Sequence, residues 1–243
     1  MKVLVINGSP HKEKSTTMVV TNAFIKGLNM SQKYSVEYIN VSNLDIKPCI
    51  GCLSCWGKTE GECVIKDDDI PLIKTKVLDA DIIIESFPLY FFSMPGTMKV
   101  FTDRMLSMMK TYKGQQIPEN GESYHGLRYP DQKRKFVVIS SCAYYSTEGV
   151  YSSLLSQLDC ICGKDNYTPI LCPQLKTLVD LNKPARTDRY LSKFIEAGRA
   201  FDENGFIDEV MLNSLSNPPF SLDTYKVLLD GFWQNQKKDG RDD

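Results

Sequence analysis

The chain has 243 residues, 42% of them hydrophobic and 24% charged, and its formal net charge at pH 7 is −1. That balance excludes the strongly basic surface expected of a protein that binds nucleic acid or an anionic membrane. The first apolar run, residues 3–6, is shorter than the roughly 7 to 15 residues of a secretion signal, and no stretch approaches the ~20 apolar residues of a membrane span. We therefore expect a cytoplasmic protein.

Five short apolar runs separated by helical stripes predict β-strands that alternate with helices. Because successive parallel strands need a right-handed crossover, this alternation indicates an α/β fold with a doubly wound parallel sheet and helices on both faces. The predicted strands are residues 2–7, 34–41, 81–87, 135–141 and 167–172. The predicted helices of this core are residues 16–28, 68–79, 95–108 and 150–158.

The sheet and its helices define an expected binding domain over residues 1–175. Within it, residues 111–134 form a polar insert, and loops of that length are usually functional or disordered. His125, with Tyr124 and Tyr129, could cap a bound ligand from this insert, and a solvated loop is the alternative.

The residues after the fifth predicted strand form a helical extension, residues 176–243. Helical periodicity is present over residues 184–201 and again over residues 221–234. The extension shows neither an internal repeat nor a low-complexity tract, so we expect it to pack on the same domain rather than to form a second one.

A hydroxyl-rich turn leads from the first predicted strand into the first predicted helix. The N–H groups and the positive dipole at the start of a helix favour a bound phosphate. The turn matches neither the Walker A pattern nor G-x-G-x-x-G, so a terminal monophosphate is expected rather than a dinucleotide pyrophosphate. A simple hydroxyl-rich helix cap is the alternative. The candidate phosphate ligands are Ser9, His11, Ser15, Thr16 and Thr17.

Two further loops follow the third and fourth predicted strands, at the edge where ligands bind to open parallel sheets. The first is unusually apolar and aromatic and suits a flat ring system, with Tyr90 or Phe91 stacking on it. An interface loop or a local core is the alternative. The small residues of the second loop would let the backbone approach a ligand. The candidates in these loops are Pro88, Leu89, Tyr90, Phe91, Ser141, Cys142 and Ala143.

In combination these loops resemble the group of NADPH-dependent FMN reductases and flavodoxin-like quinone reductases. The pattern G-S-P-x-K-x-x-[NS]-T begins at Gly8, and P-x-Y begins at Pro88. Ser93 is followed by K-x-F-x-D-R from Lys99. The resemblance also includes C-x-G-C-x-x-C from Cys49 and G-x-C-x-x-x-D-D from Gly61, and it covers roughly residues 1–175. His11, Lys14 and Ser15 depart from the residues common in that group.

The resemblance implies a flavodoxin-like sheet of order 2-1-3-4-5 that binds FMN and takes NAD(P)H as co-substrate. The five candidates after the first strand would hold the FMN phosphate, and the seven candidates in the other two loops would line its isoalloxazine. Electrons would pass to a quinone, a flavin or a similar small acceptor. A homodimer or homotetramer is expected. An iron–sulfur flavoprotein or a flavodoxin-type electron carrier is the alternative function. Lys99, Asp103 and Arg104 are expected to form an ion network on a helix surface.

Four cysteines, Cys49, Cys52, Cys55 and Cys63, have the spacing C-x2-C-x2-C-x7-C. Such a set can hold a [4Fe–4S] cluster, as ferredoxin-type runs do, and it resembles that of iron–sulfur flavoproteins. Zinc is disfavoured because zinc ribbons separate two C-x2-C pairs by about 15–20 residues. A turn whose cysteines are buried thiols is the alternative, so no metal ligand is assigned.

Overall fold

The structure, a computed structural model, describes residues 1–111, 125–129 and 134–238. Five strands form one sheet of order β2-β1-β3-β4-β5, and every neighbouring pair is parallel. The predicted strands and their order are therefore confirmed. Most of the predicted insert, including Tyr124, lies outside the described residues. The strands are β1 (Lys2–Asn7), β2 (Ser35–Asn40), β3 (Ile82–Pro88), β4 (Lys135–Ser141) and β5 (Thr168–Cys172).

Helices cover both faces of the sheet, as the strand order requires. Two short ones, α5 and α7, were not predicted, because helices of six and seven residues carry too few turns to show a periodic stripe. The helices are α1 (Thr16–Leu28), α2 (Ile70–Asp79), α3 (Gly96–Arg104), α4 (Ser152–Cys162), α5 (Leu175–Asp180), α6 (Pro184–Asn204), α7 (Glu209–Leu215) and α8 (Leu222–Lys238).

Alternate residues of each strand supply two separate hydrophobic cores. On one face, side chains such as Val5 and Ile84 pack against α1 and the helices of the C-terminal extension. On the other face, side chains such as Ile6 and Val138 pack against α2, α3 and α4. Within the described residues, no helix combines the length and the apolar character that a membrane crossing requires.

The closest helix pair is α1 with α6, which joins the C-terminal extension to the first crossover. A Cβ at Gly27 would lie 1.9 Å from the backbone oxygen of Ile195, and a Cβ at Gly198 would lie 2.0 Å from that of Phe24. Neither position can accept a side chain without separating the helices. The two glycines thus bring the backbones of α1 and α6 into direct contact.

Candidate functional site at the carboxyl edge of the sheet

The order of the strands reverses between β1 and β3, so the loops after these strands diverge to opposite faces of the sheet. In open α/β sheets this switch point is where ligands bind. Gly8 N donates to Ser86 O (2.9 Å), and Leu89 N donates to Ser141 O (2.7 Å). The loops after β1, β3 and β4 are therefore joined by backbone hydrogen bonds across this point.

The loop after β1 is fixed from below by Asn7, the last residue of its strand. Asn7 Nδ2 donates to Lys12 O and to Asn40 Oδ1, both at 2.8 Å, while Asn7 Oδ1 accepts from Ser9 N at 3.0 Å. Asn7 and Asn40 are register partners on β1 and β2. Asn7 was not among the candidate residues, although a polar residue that ends a buried apolar strand is a signal that could have identified it.

The candidate phosphate ligands surround the first turn of α1. Ser9, Ser15 and Thr17 are buried, Thr16 is half-buried and His11 is exposed. Ser15 precedes the helix but gives it no side-chain cap. Within the described chain, no acceptor lies on the backbone N–H groups of Thr16 and Thr17. These donors, at the positive end of a 13-residue helix, form a cradle that suits an anion.

One hydrogen bond joins the two parts of the candidate site. Thr17 Oγ1 and Ser141 Oγ lie 2.6 Å apart, and both residues are buried. Thr21 and Ser86 form a parallel pair one turn further along α1, with their hydroxyl oxygens 2.8 Å apart. The structure therefore brings the candidate phosphate turn and the loop after β4 together, which the spacing of the residues in the sequence did not reveal.

The loop after β3 ends in a tight aromatic turn. Tyr90 N donates to Ser93 O (2.9 Å) and Ser93 N donates to Tyr90 O (3.0 Å), so Phe91 and Phe92 are the two central residues of a hairpin turn. Their φ angles are 47° and 67°, which L-residues adopt at a cost of roughly 1–2 kcal/mol each. The Phe91 side chain is 95% exposed.

The ring of Phe92 stacks on that of Tyr144, with centroids 5.6 Å apart and an interplanar angle of 25°. Tyr90, a predicted site residue, is also exposed at this turn. The turn after β3 and the loop after β4 thus share one aromatic surface. Neither Phe92 nor Tyr144 was among the candidates, because their contact depends on a left-handed turn that a Phe-Phe pair does not predict.

The remaining candidates for binding the ring system differ in whether their side chains are buried or exposed. Leu89 and Cys142 belong to the core between the sheet and α2, α3 and α4, so only their backbone can face a ligand. Pro88 is half-buried and Ala143 is exposed. The Ala143 carbonyl accepts a hydrogen bond from the hydroxyl of Tyr225 in α8. The C-terminal extension therefore fixes the loop after β4.

The cysteine-rich loop follows β2 and so lies at the same edge of the sheet. Cys49 and Cys52 are exposed, whereas Cys55 and Cys63 are half-buried, and all four thiols are free. The alternative of buried thiols is therefore wrong for Cys52. Burial raises the pKa of Cys55, and so do the charges of Cys63, Cys49 and Cys52. Hydrogen bonds with Ser54 lower the pKa of Cys52.

The donor set fits an iron–sulfur cluster in type and number, but its thiols are not gathered around one point. Among the described residues, no group of three or more His, Cys, Asp or Glu side chains is placed to share a metal ion. The loop nevertheless supplies four free thiols, which are the ligands that a [4Fe–4S] cluster needs.

Arg104 is fully buried, which corrects the expectation that it belongs to a helix-surface ion network. Its guanidinium pairs with Asp68 and donates to Lys47 O (2.6 Å) and Ile65 O (3.0 Å). Burial alone would raise the pKa of Asp68, but hydrogen bonds from Arg104 and from two backbone N–H groups hold it below its ordinary value. Lys99 and Asp103 do form an exposed pair at 2.5 Å.

Glu85 is a second buried charge-bearing group, three residues before the aromatic loop. It is 7% exposed and lies opposite Ile6 and Val138 in the sheet. Burial raises the pKa of Glu85 to about 8. Glu85 lies inside the predicted third strand, but its burial was not expected, since buried acids without a cationic partner are rare.

A doubly wound sheet of order 2-1-3-4-5 with an anion cradle at its switch point defines a flavodoxin-like α/β protein. The model of the Flavodoxin_2 family, described as having a flavodoxin-like fold, matches residues 1–166, and the chain belongs to this family. The family resemblance inferred from the sequence motifs is thereby confirmed.

Two groups of curated relatives match this chain. An iron–sulfur flavoprotein of Methanocaldococcus jannaschii is 38% identical over 104 residues, 43% of this chain and 51% of that protein. An uncharacterised NAD(P)H oxidoreductase of Haemophilus influenzae is 28% identical over 171 residues, 68% of this chain and 80% of that protein. The chain spans about half the length of the iron–sulfur flavoproteins that it matches.

Solved structures of reductases share the architecture. The NAD(P)H:quinone oxidoreductase of Methanothermobacter marburgensis superposes with a TM-score of 0.59 at 19% identity, over 83% of this chain and 96% of that one. An FMN-dependent NADH-azoreductase of Bacillus anthracis superposes with a TM-score of 0.58 at 19% identity, over 83% and 100% respectively. At this level of identity the likeness shows the fold.

Proposed function

We propose that this chain binds FMN at the carboxyl edge of its sheet and passes electrons from NAD(P)H to a small-molecule acceptor such as a quinone or a flavin. The observation that carries the proposal is the hydrogen bond between Thr17 and Ser141, which joins an uncapped helix N-terminus to the loop after β4 at the switch point. A phosphate-sized anion and a flat ring can be held on the two sides of this bond.

The residues at the start of α1 would hold the phosphate. The N–H groups of Thr16 and Thr17 point out of the helix, and the buried hydroxyls of Ser9 and Ser15 stand beside them. His11, on the exposed side, would add positive charge from the solvent face. Because Asn7 already fixes the turn, little conformational entropy would be lost on binding.

The loops after β3 and β4 would orient the ring system. Backbone groups of Pro88, Leu89, Cys142 and Ala143 would face its polar edge, and Tyr90 and Phe91 would cover its faces and exclude water. When bound, FMN supplies the redox chemistry, since it accepts electrons from a nicotinamide and passes them to a second substrate. The protein's contribution is orientation and hydrogen bonding.

The relatives support this reading of the site. The Haemophilus influenzae relative is named as an NAD(P)H oxidoreductase, and the Bacillus anthracis structure is that of an FMN-dependent NADH-azoreductase. We propose in addition that residues 1–175 and the extension 176–243 act as one unit, that the protein works in the cytoplasm, and that the exposed aromatic turn is covered in a homodimer or homotetramer.

The experiment is a titration of the FMN-free protein with FMN, followed by NADH or NADPH oxidation with a soluble quinone as acceptor. We expect flavin fluorescence to be quenched at one FMN per chain and nicotinamide oxidation to depend on both FMN and quinone. A protein that stays colourless and leaves FMN fluorescence unchanged contradicts the proposal. FMN uptake without nicotinamide oxidation would favour an electron carrier.

A second candidate function is that of an iron–sulfur flavoprotein. The specific observation that favours it is the complete set of four free thiols in one loop at the same sheet edge as the proposed flavin site. Cys49, Cys52, Cys55 and Cys63 would hold the cluster, which would store single electrons beside the flavin. Iron and acid-labile sulfide counted on protein purified without oxygen test this candidate, with about four irons per chain as the supporting result.

A further inference from the structure

The cysteine-rich loop consists of two halves that differ in how firmly they are held. We call residues 49–53 the outer half and residues 54–65 the held half. Gly61 N donates to Cys55 O (2.7 Å), and Thr59 N donates to Ser54 O (2.9 Å). In the outer half, no backbone N–H from residue 49 to residue 53 donates to a carbonyl elsewhere in the described residues.

The exposure of the thiols follows this division. Cys49 and Cys52, in the outer half, are exposed, and Ile50 between them is 69% exposed. Cys55 and Cys63, in the held half, are both half-buried. A segment that has few internal hydrogen bonds and exposed apolar side chains opens at low free energy, so the outer half is the more mobile of the two.

Arg128 holds the second half from outside the loop. Its Nη2 donates to Cys55 O and to Met109 O, both at 3.3 Å, and its Nε donates to Ser107 O at 3.2 Å. Its Nη1 donates to Glu60 at 3.3 Å. The guanidinium therefore joins the held half, at Cys55 O and Glu60, to the segment after α3, at Ser107 O and Met109 O, and the side chain is only 13% exposed.

Gly61 makes room for this arginine. Its φ is +83°, and a Cβ there would lie 2.9 Å from Cδ of Arg128. On the other side of the loop, Trp56 Nε1 donates to Leu106 O (3.3 Å), and the Trp56 ring lies 4.6 Å from that of His125. The held half is thus clamped between residues 106–109 and the short segment around Arg128.

A cavity of about 220 Å³ lies against Cys63 in the held half. Ser107 lines it, is 2% exposed, and its hydroxyl has no hydrogen-bond partner among the described residues. An unpartnered buried hydroxyl costs about 1–3 kcal/mol, so its place beside a thiol indicates room that a bound group would fill.

From these contacts we infer that Arg128 is a positioning residue for a metal-cluster site, which fixes the backbone at Cys55 while Cys49 and Cys52 move to complete the set. This inference rests on the second candidate function. It explains why the four thiols of one loop are not gathered around one point in the structure: Arg128 holds the backbone at Cys55, whereas no backbone N–H from residue 49 to residue 53 donates to a carbonyl among the described residues.

The test compares the full-length protein with R128A, R128K and the control R199A, whose arginine is on the surface of α6 and pairs only with Glu196 and Glu203. Each protein is reconstituted without oxygen with ferrous iron and sulfide, and iron, sulfide, the cluster absorption and FMN binding are measured on the same sample. We expect R128A to bind at least threefold less iron than the parent, R128K to recover part of the loss, and R199A to match the parent.

Alkylation of the cluster-free protein, followed by mass spectrometry, gives a second readout. We expect Cys49 and Cys52 to react at least tenfold faster than Cys55 and Cys63 in the parent, and R128A to accelerate Cys55 without changing Cys49. Equal reactivity of all four thiols in the parent, or full iron loading by R128A, overturns the inference. If R128A does not fold, iron loading by R128K equal to that of the parent overturns it.

The FMN measurement separates this inference from the proposed flavin function. A parent protein that binds FMN but no iron removes the cluster site and the inference with it. A parent protein that loads iron and shows the expected loss in R128A, but does not bind FMN, contradicts the flavin function alone.

Discussion

The loops after β1 and β3 lie side by side at one sheet edge but are built in opposite ways. The loop after β1 is hydrogen-bonded through Asn7 and buries Ser9 and Ser15, and Lys12 is its one residue with a left-handed backbone. The turn after β3 exposes Phe91 almost completely and holds two phenylalanines in left-handed backbone conformations. The first loop buries two hydroxyls of the candidate phosphate site, whereas the second carries two adjacent strained residues and exposed apolar surface that a ligand or a partner would offset.

The difference extends into the strands below. At the register position where β1 has Ile6, the neighbouring strand β3 has Glu85. The strand that supports the phosphate turn therefore buries two apolar side chains, Leu4 and Ile6, on this face, while the strand that supports the aromatic turn contains a buried carboxylic acid. Both the turn after β3 and its strand depart from what is locally most stable, which is the pattern expected of functional regions.

The largest effect is expected from Glu85→Gln. Because the pKa of Glu85 is raised to about 8, its contribution favours the folded state at low pH and is lost as the pH rises through 8. The variant should raise the free energy of unfolding at pH 7 by roughly 3 kcal/mol, at ~1.4 kcal/mol per pKa unit. Urea unfolding between pH 5 and pH 9 measures this.

The matched control for that substitution is Glu37→Gln, on an exposed residue of β2 that pairs with Lys76. It should leave the pH dependence of stability as it is in the parent. If Glu85→Gln shows the same pH dependence as the parent, then Glu85 is ionised in the folded protein, and the contrast between β1 and β3 disappears.

Next in size is Thr17→Val, which removes one hydroxyl from the bond between the two loops and leaves that of Ser141 buried without a partner. We expect a loss of about 2 kcal/mol in stability and a roughly tenfold weaker affinity for FMN. Thr75→Val, in an exposed turn of α2, is the control. The double variant with Ser141→Ala should regain much of the stability, because both partners are then absent.

Phe91→Gly should have the opposite sign and a smaller size. Glycine adopts the positive φ of this position without strain, so the FMN-free protein should become more stable by about 0.5–1 kcal/mol after the entropy of glycine is subtracted. FMN should bind more weakly because an aromatic face is lost. A lower melting temperature of the FMN-free variant would show that the turn is not strained.

The smallest effect concerns the stack of Phe92 on Tyr144. A double-mutant cycle with Phe92→Ala and Tyr144→Ala should give a coupling of about 0.5 kcal/mol, the lower end for aromatic pairs because both rings are partly exposed. Thermal unfolding of the four proteins measures it. A coupling of zero would mean that the turn after β3 and the loop after β4 are independent.

The sequence predicted the sheet because each strand carries an apolar run bounded by turn residues, as in Ile82 to Phe87. It could not place Arg104, since a motif of alternating charges on a helix looks the same whether the arginine faces solvent or a buried aspartate. Nor could it identify the shared surface of Phe92 and Tyr144, which depends on a backbone conformation that phenylalanine disfavours.

The candidate phosphate residues could be selected because the chemistry of a helix start is local. Their connection to the loop after β4 could not be predicted, because Thr17 and Ser141 are distant in the sequence and come together only when the whole sheet has formed. The pairing of α1 with α6 could be predicted only in part. The glycines at positions 27 and 198 indicate that each helix can pack closely against another, but neither helix sequence shows which helix its partner is.

That pairing has a consequence for how the chain is made. The apolar face of α1, with Phe24 at its centre, is synthesised early, but α6 that covers it is synthesised more than a hundred residues later. At roughly 5–20 residues per second, the face stays uncovered for on the order of ten seconds. The nascent chain therefore carries an apolar surface through most of its synthesis, until α6 emerges.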